Sequence, residues 1–189
     1  MTRKRLPRKN RPAAPGAGPD IDAMIRVDHA GEYGAVRIYQ GQLAVLERRK
    51  EANRAARTIR HMAAQEQRHL EAFDAFVNAR KVRPTALEPV WRIAGFALGA
   101  ATAALGEKAA FACTAAVEDV IDEHYASQLA ALGDDEPELA AAVSEFRADE
   151  AAHRRTALEE GAEQAPAYRL LSGTIKAGCR LAIRLSERI

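Results

Sequence analysis

Two short units of this sequence share one form, Glu66-x-x-His69 and Glu150-x-x-His153. Residues three apart on a helix lie on one face about a turn apart, so each unit can offer a carboxylate and an imidazole to the same ion. Each is preceded by a lone glutamate in an Ala-rich, helix-compatible stretch: Glu32 stands 34 residues before Glu66, and Glu118 stands 32 before Glu150. The order Glu, Glu-x-x-His, Glu, Glu-x-x-His is what a four-helix bundle needs to hold two metal ions in its core. Four carboxylates balance two divalent ions, and that balance decides whether such charges can be buried at all. A mixed oxygen and imidazole shell suits iron or manganese better than a thiolate site would. One such unit alone carries little weight, because charged helices produce it often. Here only two of the five histidines have an acid three residues earlier, and the units recur as pairs, with 86 residues from Glu32 to Glu118 and 84 from Glu66 to Glu150.

The elements that must position these six residues are helices. Alanine makes up about a fifth of the 189 residues, aromatic content is 5%, and β-branched runs are absent, which favours helix throughout. The spacing predicts a first helix from Asp20 to Arg49 carrying Glu32, with Asp20 as N-cap, and a second from Glu51 to Arg80 carrying Glu66 and His69. Met62, Glu66, His69, Phe73 and Phe76 step by four and three, so the ligands share the apolar face. A third helix covers Glu88 to Gly106 and a fourth, with Glu118, runs from Glu107 to Leu132. After the stop at residues 133–137 a fifth runs from Asp135 to Glu160 with Glu150 and His153, and a sixth follows a turn at 161–166 and runs to the C-terminus. Helices one, two, four and five form the ligand-bearing bundle.

Length and charge bound the rest. One domain over 20–189 is expected, preceded by a disordered basic tail over 1–19 that is rich in Pro, Gly and arginine. Net charge is only +2, and the basic excess sits in residues 1–11. Two cysteines without close spacing exclude a disulfide framework or zinc motif. Nothing beyond the tail suits nucleic acid, and no glycine motif for nucleotides is present. Ile93 to Gly106 carries no charge, is too short to span a bilayer, and holds Gly95-x-x-x-Gly99 for tight packing. The last helix sorts into an apolar stripe (Leu171, Ile175, Gly178, Ala182, Leu185, Ile189) and a basic one (Lys176, Arg180, Arg184, Arg188). Both segments fit either packing on the bundle or a surface facing lipid.

Residues 26–42 (Arg-Val-Asp-His-Ala-Gly-Glu-Tyr-Gly-Ala-Val-Arg-Ile-Tyr-Gln-Gly-Gln), the run from Ala116-Val117-Glu118 to His124-Tyr125, and the ending Gly178-Cys179-Arg180 to Arg188 resemble the demethoxyubiquinone hydroxylase family of ubiquinone biosynthesis. The resemblance covers 20–189. It implies an all-α, ferritin-like four-helix bundle whose two additional helices, the third and the C-terminal, form an apolar membrane-facing surface. It implies two iron ions per chain on Glu32, Glu66, His69, Glu118, Glu150 and His153, with O2 as co-substrate and NADH as electron donor. The implied substrate is a polyprenyl quinone, the implied partners a membrane surface and a lipid-binding protein of the same pathway. The implied location is peripheral, on the cytoplasmic face of a bacterial cell membrane or the mitochondrial inner membrane in a eukaryote. Asp28 and Asp122, one turn from Glu32 and Glu118, are candidates to orient the ligands, with His124; Tyr125 and Arg180 are candidates for the substrate side. His29 and His61 are read as structural. A tRNA-modifying di-iron hydroxylase and a ferritin-like iron- or peroxide-handling protein share the ligand order and are the alternatives.

Overall fold

The structure, a computed structural model, describes residues 19–49, 53–133 and 135–189; the basic tail expected over 1–19 lies, up to residue 18, outside the described residues. Six α-helices follow in order: α1 (Ile21–Leu46), α2 (Asn53–Arg80), α3 (Glu88–Ala104), α4 (Glu107–Leu132), α5 (Pro137–Glu159) and α6 (Tyr168–Ser186). Among the described residues there is no strand. The expected helices are all present; the start expected for the second at Glu51 lies outside the described residues. Asp20 caps α1 by accepting from the Ala23 amide at 3.1 Å. α5 starts at Pro137 rather than Asp135, because proline's fixed φ suits the first helical position. α3 ends before Gly106, whose φ of 123° suits glycine alone. The turn at 161–166 contains a short 3-10 segment, Ala162–Gln164.

α2 packs on α1 and α5 on α4, while α3 returns along α1 and α6 along α4. The chain is thus two three-helix units of one design, α1–α2–α3 and α4–α5–α6, facing each other in a ferritin-like bundle. Burial follows the sequence periodicity. One apolar cluster holds Tyr39, Leu46, Ile59, Met62, Phe111 and Ala157, and a second holds Ile25, Phe73, Val77, Tyr125, Leu139 and Phe146. On every one of the four bundle helices the acid or histidine ligands stand between the residues of one cluster and those of the other. The polar layer is therefore sealed at both ends by hydrocarbon, where charge is costly unless compensated.

The two outer helices are attached differently. α3 meets α1 through glycine: a Cβ on Gly99 would overlap the Ile38 carbonyl, and one on Gly41 the Phe96 carbonyl. The Gly95-x-x-x-Gly99 pattern thus serves close packing of two helices inside the protein. α6 is pinned to α4 by ion pairs instead, Lys176 with Asp119 and Arg180 with Glu123 at 2.9 Å. Two residues of the expected basic stripe are thereby committed to protein acids. At one end α3 and α6 touch, where the Trp91 indole donates to Ser186 Oγ at 3.1 Å. Among the described residues no helix is long and apolar enough to cross a membrane.

Candidate metal centre

The structure brings all six sequence-selected residues together. One group comprises Glu32, Glu66, His69 and Glu150, the other Glu66, Glu118, Glu150 and His153, and within each the potential ligand atoms lie within 4.8 Å of one another. Glu66 and Glu150 belong to both groups, so they are the residues able to bridge two ions. All six are at most 2% exposed. Both imidazoles present Nδ1 to the carboxylates: His69 Nδ1 stands 3.1 Å from Glu150 and 3.6 Å from Glu32, and His153 Nδ1 stands 2.9 Å from Glu66 and 3.2 Å from Glu150.

Whether these residues fit cations is decided by what the protein leaves unpaired. Although the imidazoles stand close, neither Glu66 oxygen makes a well-aligned hydrogen bond, nor do Glu32 Oε2, Glu118 Oε2, Glu150 Oε1 and His69 Nδ1. Buried polar atoms are normally paired, and six orphans in one layer require a partner that the protein does not supply. Burial, and then the charges of the neighbouring glutamates, pushes the Glu66 carboxyl well above the usual range; burial does the same to Glu118, and raises Glu150. Burial alone would pull His69 down, but Glu150 and Glu32 outweigh it and raise the imidazole to about 10. His153 is lowered, chiefly by burial. Two divalent ions would neutralise the four carboxylates and satisfy every orphan, so the donor set fits a pair of oxygen- and imidazole-loving metals.

The outward nitrogens are held crosswise. His69 Nε2 lies 3.1 Å from Asp149 on α5, and His153 Nε2 lies 3.2 Å from Gln65 on α2. Each partner is the residue immediately before the glutamate of the opposite Glu-x-x-His unit. Two tyrosines cross in the same way. The Tyr39 hydroxyl on α1 donates to Glu118 Oε1 at 2.7 Å, and the Tyr125 hydroxyl on α4 donates to Glu32 Oε1. Burial first, and then the neighbouring glutamates, raises both phenols well above their ordinary value, so both remain donors.

The other sequence candidates fall in different places. Asp28 is buried, but it accepts from Gln128 at 2.7 Å and His124 at 3.2 Å rather than from a ligating histidine. Asp122 is partly exposed and pairs with Arg147 at 2.7 Å, away from both histidines. Tyr125 donates to the candidate ligand Glu32 and does not line the apolar cavity described below. Arg180 is spent on Glu123 at the surface. His29 is buried beside Asp74, and His61 is exposed. Asp149, Gln65 and Tyr39 escaped the sequence reading. The signal for the first two was their place before each motif glutamate; for Tyr39 it was a seven-residue spacing from Glu32, which Tyr125 repeats from Glu118.

Beside the centre lies an apolar cavity of about 480 Å³. α1 and α4 supply its floor, including Gly31, Gly34, Val117 and Ile121, while α3 and α6 supply its walls, including Trp91, Leu98, Gly178 and Cys179. Gly31 and Val117 are the sequence neighbours of Glu32 and Glu118.

Comparison with known proteins adds names to this geometry. The family model described as ubiquinone biosynthesis protein COQ7 matches residues 19–186. A 3-demethoxyubiquinol 3-hydroxylase of Rhodospirillum rubrum is 57% identical over 178 residues, 94% of this chain and 82% of that protein. The NADPH-dependent 3-demethoxyubiquinone 3-hydroxylase, mitochondrial, of Mus musculus is 50% identical over 172 residues, 89% of this chain and 77% of that protein. The 5-demethoxyubiquinone hydroxylase, mitochondrial, of Saccharomyces cerevisiae is 38% identical over 184 residues, 89% of this chain and 78% of that protein. With a match that spans nearly the whole described fold, this chain belongs to the COQ7 family of ubiquinone biosynthesis proteins.

Proposed function

We propose that this protein is a di-iron monooxygenase that hydroxylates the ring of demethoxyubiquinol or demethoxyubiquinone in ubiquinone biosynthesis. The observation that carries the reading is the pair of four-residue groups sharing Glu66 and Glu150 in a dry layer of the bundle. The names of its relatives supply the reaction, and the unpaired carboxylate oxygens supply the reason for metal. The family assignment over residues 19–186 speaks against the tRNA-modifying and iron-storage alternatives.

Two irons bound by Glu32, Glu66, His69, Glu118, Glu150 and His153 would supply the two-electron activation of O2 and the transfer of one oxygen atom to the ring. The protein's own residues set the conditions. Asp149 and Gln65 fix the imidazole orientation, and Tyr39 and Tyr125 each hold one oxygen of a terminal glutamate. The hydrocarbon clusters above and below exclude water, which strengthens every charge interaction in the layer. Two external electrons are needed, and a reduced nicotinamide nucleotide is their source in this reading. The sequence resemblance pointed to NADH, and the mouse relative's name specifies NADPH.

The substrate ring enters the apolar cavity between α3 and α6, and the polyprenyl tail continues outward along their apolar surface. Val90, Ile93 and Phe96 of α3, Leu105 just beyond its end, and Leu170 and Leu181 of α6 are exposed. This supports a peripheral place on the membrane that holds the quinone, the cytoplasmic face of the cell membrane in a bacterium, and gives a lipid-binding partner of the pathway a face to cover. The test is quinone analysis by mass spectrometry in cells lacking the protein and then re-expressing it. Demethoxyubiquinone accumulating only in its absence is expected; unchanged ubiquinone in the deleted cells would overturn the reading.

A further inference from the structure

Glycine is the least favoured residue in a helix interior after proline, and it is kept there for a positive φ, for close packing, or for close approach of a ligand to the backbone. The ten described glycines divide on those grounds. Gly106, Gly133 and Gly161 have positive φ. Gly41, Gly95 and Gly99 have a neighbouring backbone where a Cβ would sit. Gly31, Gly34, Gly173 and Gly178 have neither reason: their φ is ordinary, and a Cβ on any of them would meet nothing within 4 Å. Three of these four, Gly31, Gly34 and Gly178, line the apolar cavity between α3 and α6, and Gly173 does not. Two of them sit on α1 on either side of Glu32, and the third lines the cavity from α6.

We propose that Gly31, Gly34 and Gly178 are the shape-determining residues of the quinone seat: they remove side chains from the floor and one wall so that a flat ring can lie against the α1 backbone one residue from Glu32. This rests on the reading of the cavity as the substrate site and says which positions set its fit. The occupant is the substituted quinone ring, because the cavity is lined almost wholly by hydrocarbon, adjoins two ligand-bearing helices, and opens between the two helices whose exposed residues are apolar. A Cβ at 31, 34 or 178 would meet nothing within 4 Å, so a side chain there would start in the space the ring needs.

Trp91 is the chain's one tryptophan and lines the cavity, so its fluorescence reports an occupant directly. The experiment titrates the purified full chain with a ubiquinone bearing a single prenyl unit and follows quenching, alongside melting temperature and iron content. Gly34→Leu and Gly178→Leu should raise the half-saturating concentration by about tenfold or more, with iron content unchanged and melting temperature unchanged or raised. Gly173→Leu should leave the titration as in the wild type. Should a leucine variant fail to fold, Gly34→Ala and Gly178→Ala must show a smaller loss in the same direction. Equal quenching in wild type and in the 34 and 178 variants would overturn the proposal. A wild-type protein that shows no quenching, while deleted cells regain ubiquinone on re-expression, would overturn the seat and leave the hydroxylase reading standing.

Discussion

The two halves of this molecule, α1–α2–α3 and α4–α5–α6, solve one problem twice, and their differences are more instructive than their likeness. Each half gives one lone glutamate, one Glu-x-x-His unit, one tyrosine that reaches across to the other half's glutamate, and one residue that holds the other half's histidine. At that last position the halves part. α5 offers the carboxylate of Asp149 to His69, and α2 offers the neutral amide of Gln65 to His153. The two candidate ion groups are therefore unequal, one with a carboxylate behind its imidazole and one with an amide. The outer helices differ as well, since α3 is held on α1 by glycine contact and α6 on α4 by ion pairs.

The largest effects should come from the residues that belong to both sites. Replacing Glu66 or Glu150 by alanine should remove both irons, whereas Glu32→Ala or Glu118→Ala should leave one site with its remaining ligands. Iron analysis of the four variants checks this. Equal iron loss in all four would contradict the division into shared and terminal carboxylates.

The residues behind the imidazoles come next. Asp149→Asn should weaken iron binding by about 10–100-fold, and Gln65→Ala by less, because only the first removes a charge. Anaerobic ferrous titration resolves the two. Gln65→Glu should make the halves alike and narrow the gap between the two binding steps.

Acidity gives a third way to separate protein from metal. Glu66, Glu118 and Glu150 hold protons above their unfolded range, and His69 is raised to about 10 from 6.5. For both kinds of group the folded state binds more protons than the unfolded one, so stability falls as pH rises. His69's share is fully present below pH 6.5 and is lost as pH rises toward 10; the lowered His153 opposes it in part. Iron-stripped protein should melt at a lower temperature at pH 9 than at pH 6. Metal displaces those protons, so the gain in melting temperature on loading should widen over the same interval. A gain that shrinks with pH would contradict the assignment.

Smaller effects follow. Tyr39→Phe and Tyr125→Phe each remove one hydrogen bond to a buried carboxylate, and each should cost about 1–3 kcal/mol, nearly equally in the two halves. Lys176→Ala opens a pair at the α6 surface and should cost no more than about 1 kcal/mol. Thermal melts rank all three.

Much of this was legible in the sequence, and the rest was hidden for geometric reasons. The six residues that cluster show because their spacing is local to each helix. Their supports do not, because Gln65 and Asp149 act across the bundle and depend on the register of α2 against α5. Helical drift explains the misplaced aspartate. A residue four positions on turns about 40° past its start, and one seven positions on falls about 20° short. Asp122, four beyond Glu118, has drifted toward Arg147 of α5, whereas Tyr125, seven beyond, stays inward. The basic stripe of α6 left packing and lipid both open because a single helix does not disclose the acids, Asp119 and Glu123, that α4 sets opposite Lys176 and Arg180. The helix boundaries were nearly right because proline, glycine and Asp20 mark them locally.

The central claim is a two-ion centre whose ions share Glu66 and Glu150, and anaerobic titration of the stripped chain with ferrous iron tests it most directly. Wild type should bind two irons per chain, and Glu66→Ala none at those concentrations. A single iron in wild type, or two retained in Glu66→Ala, would contradict it.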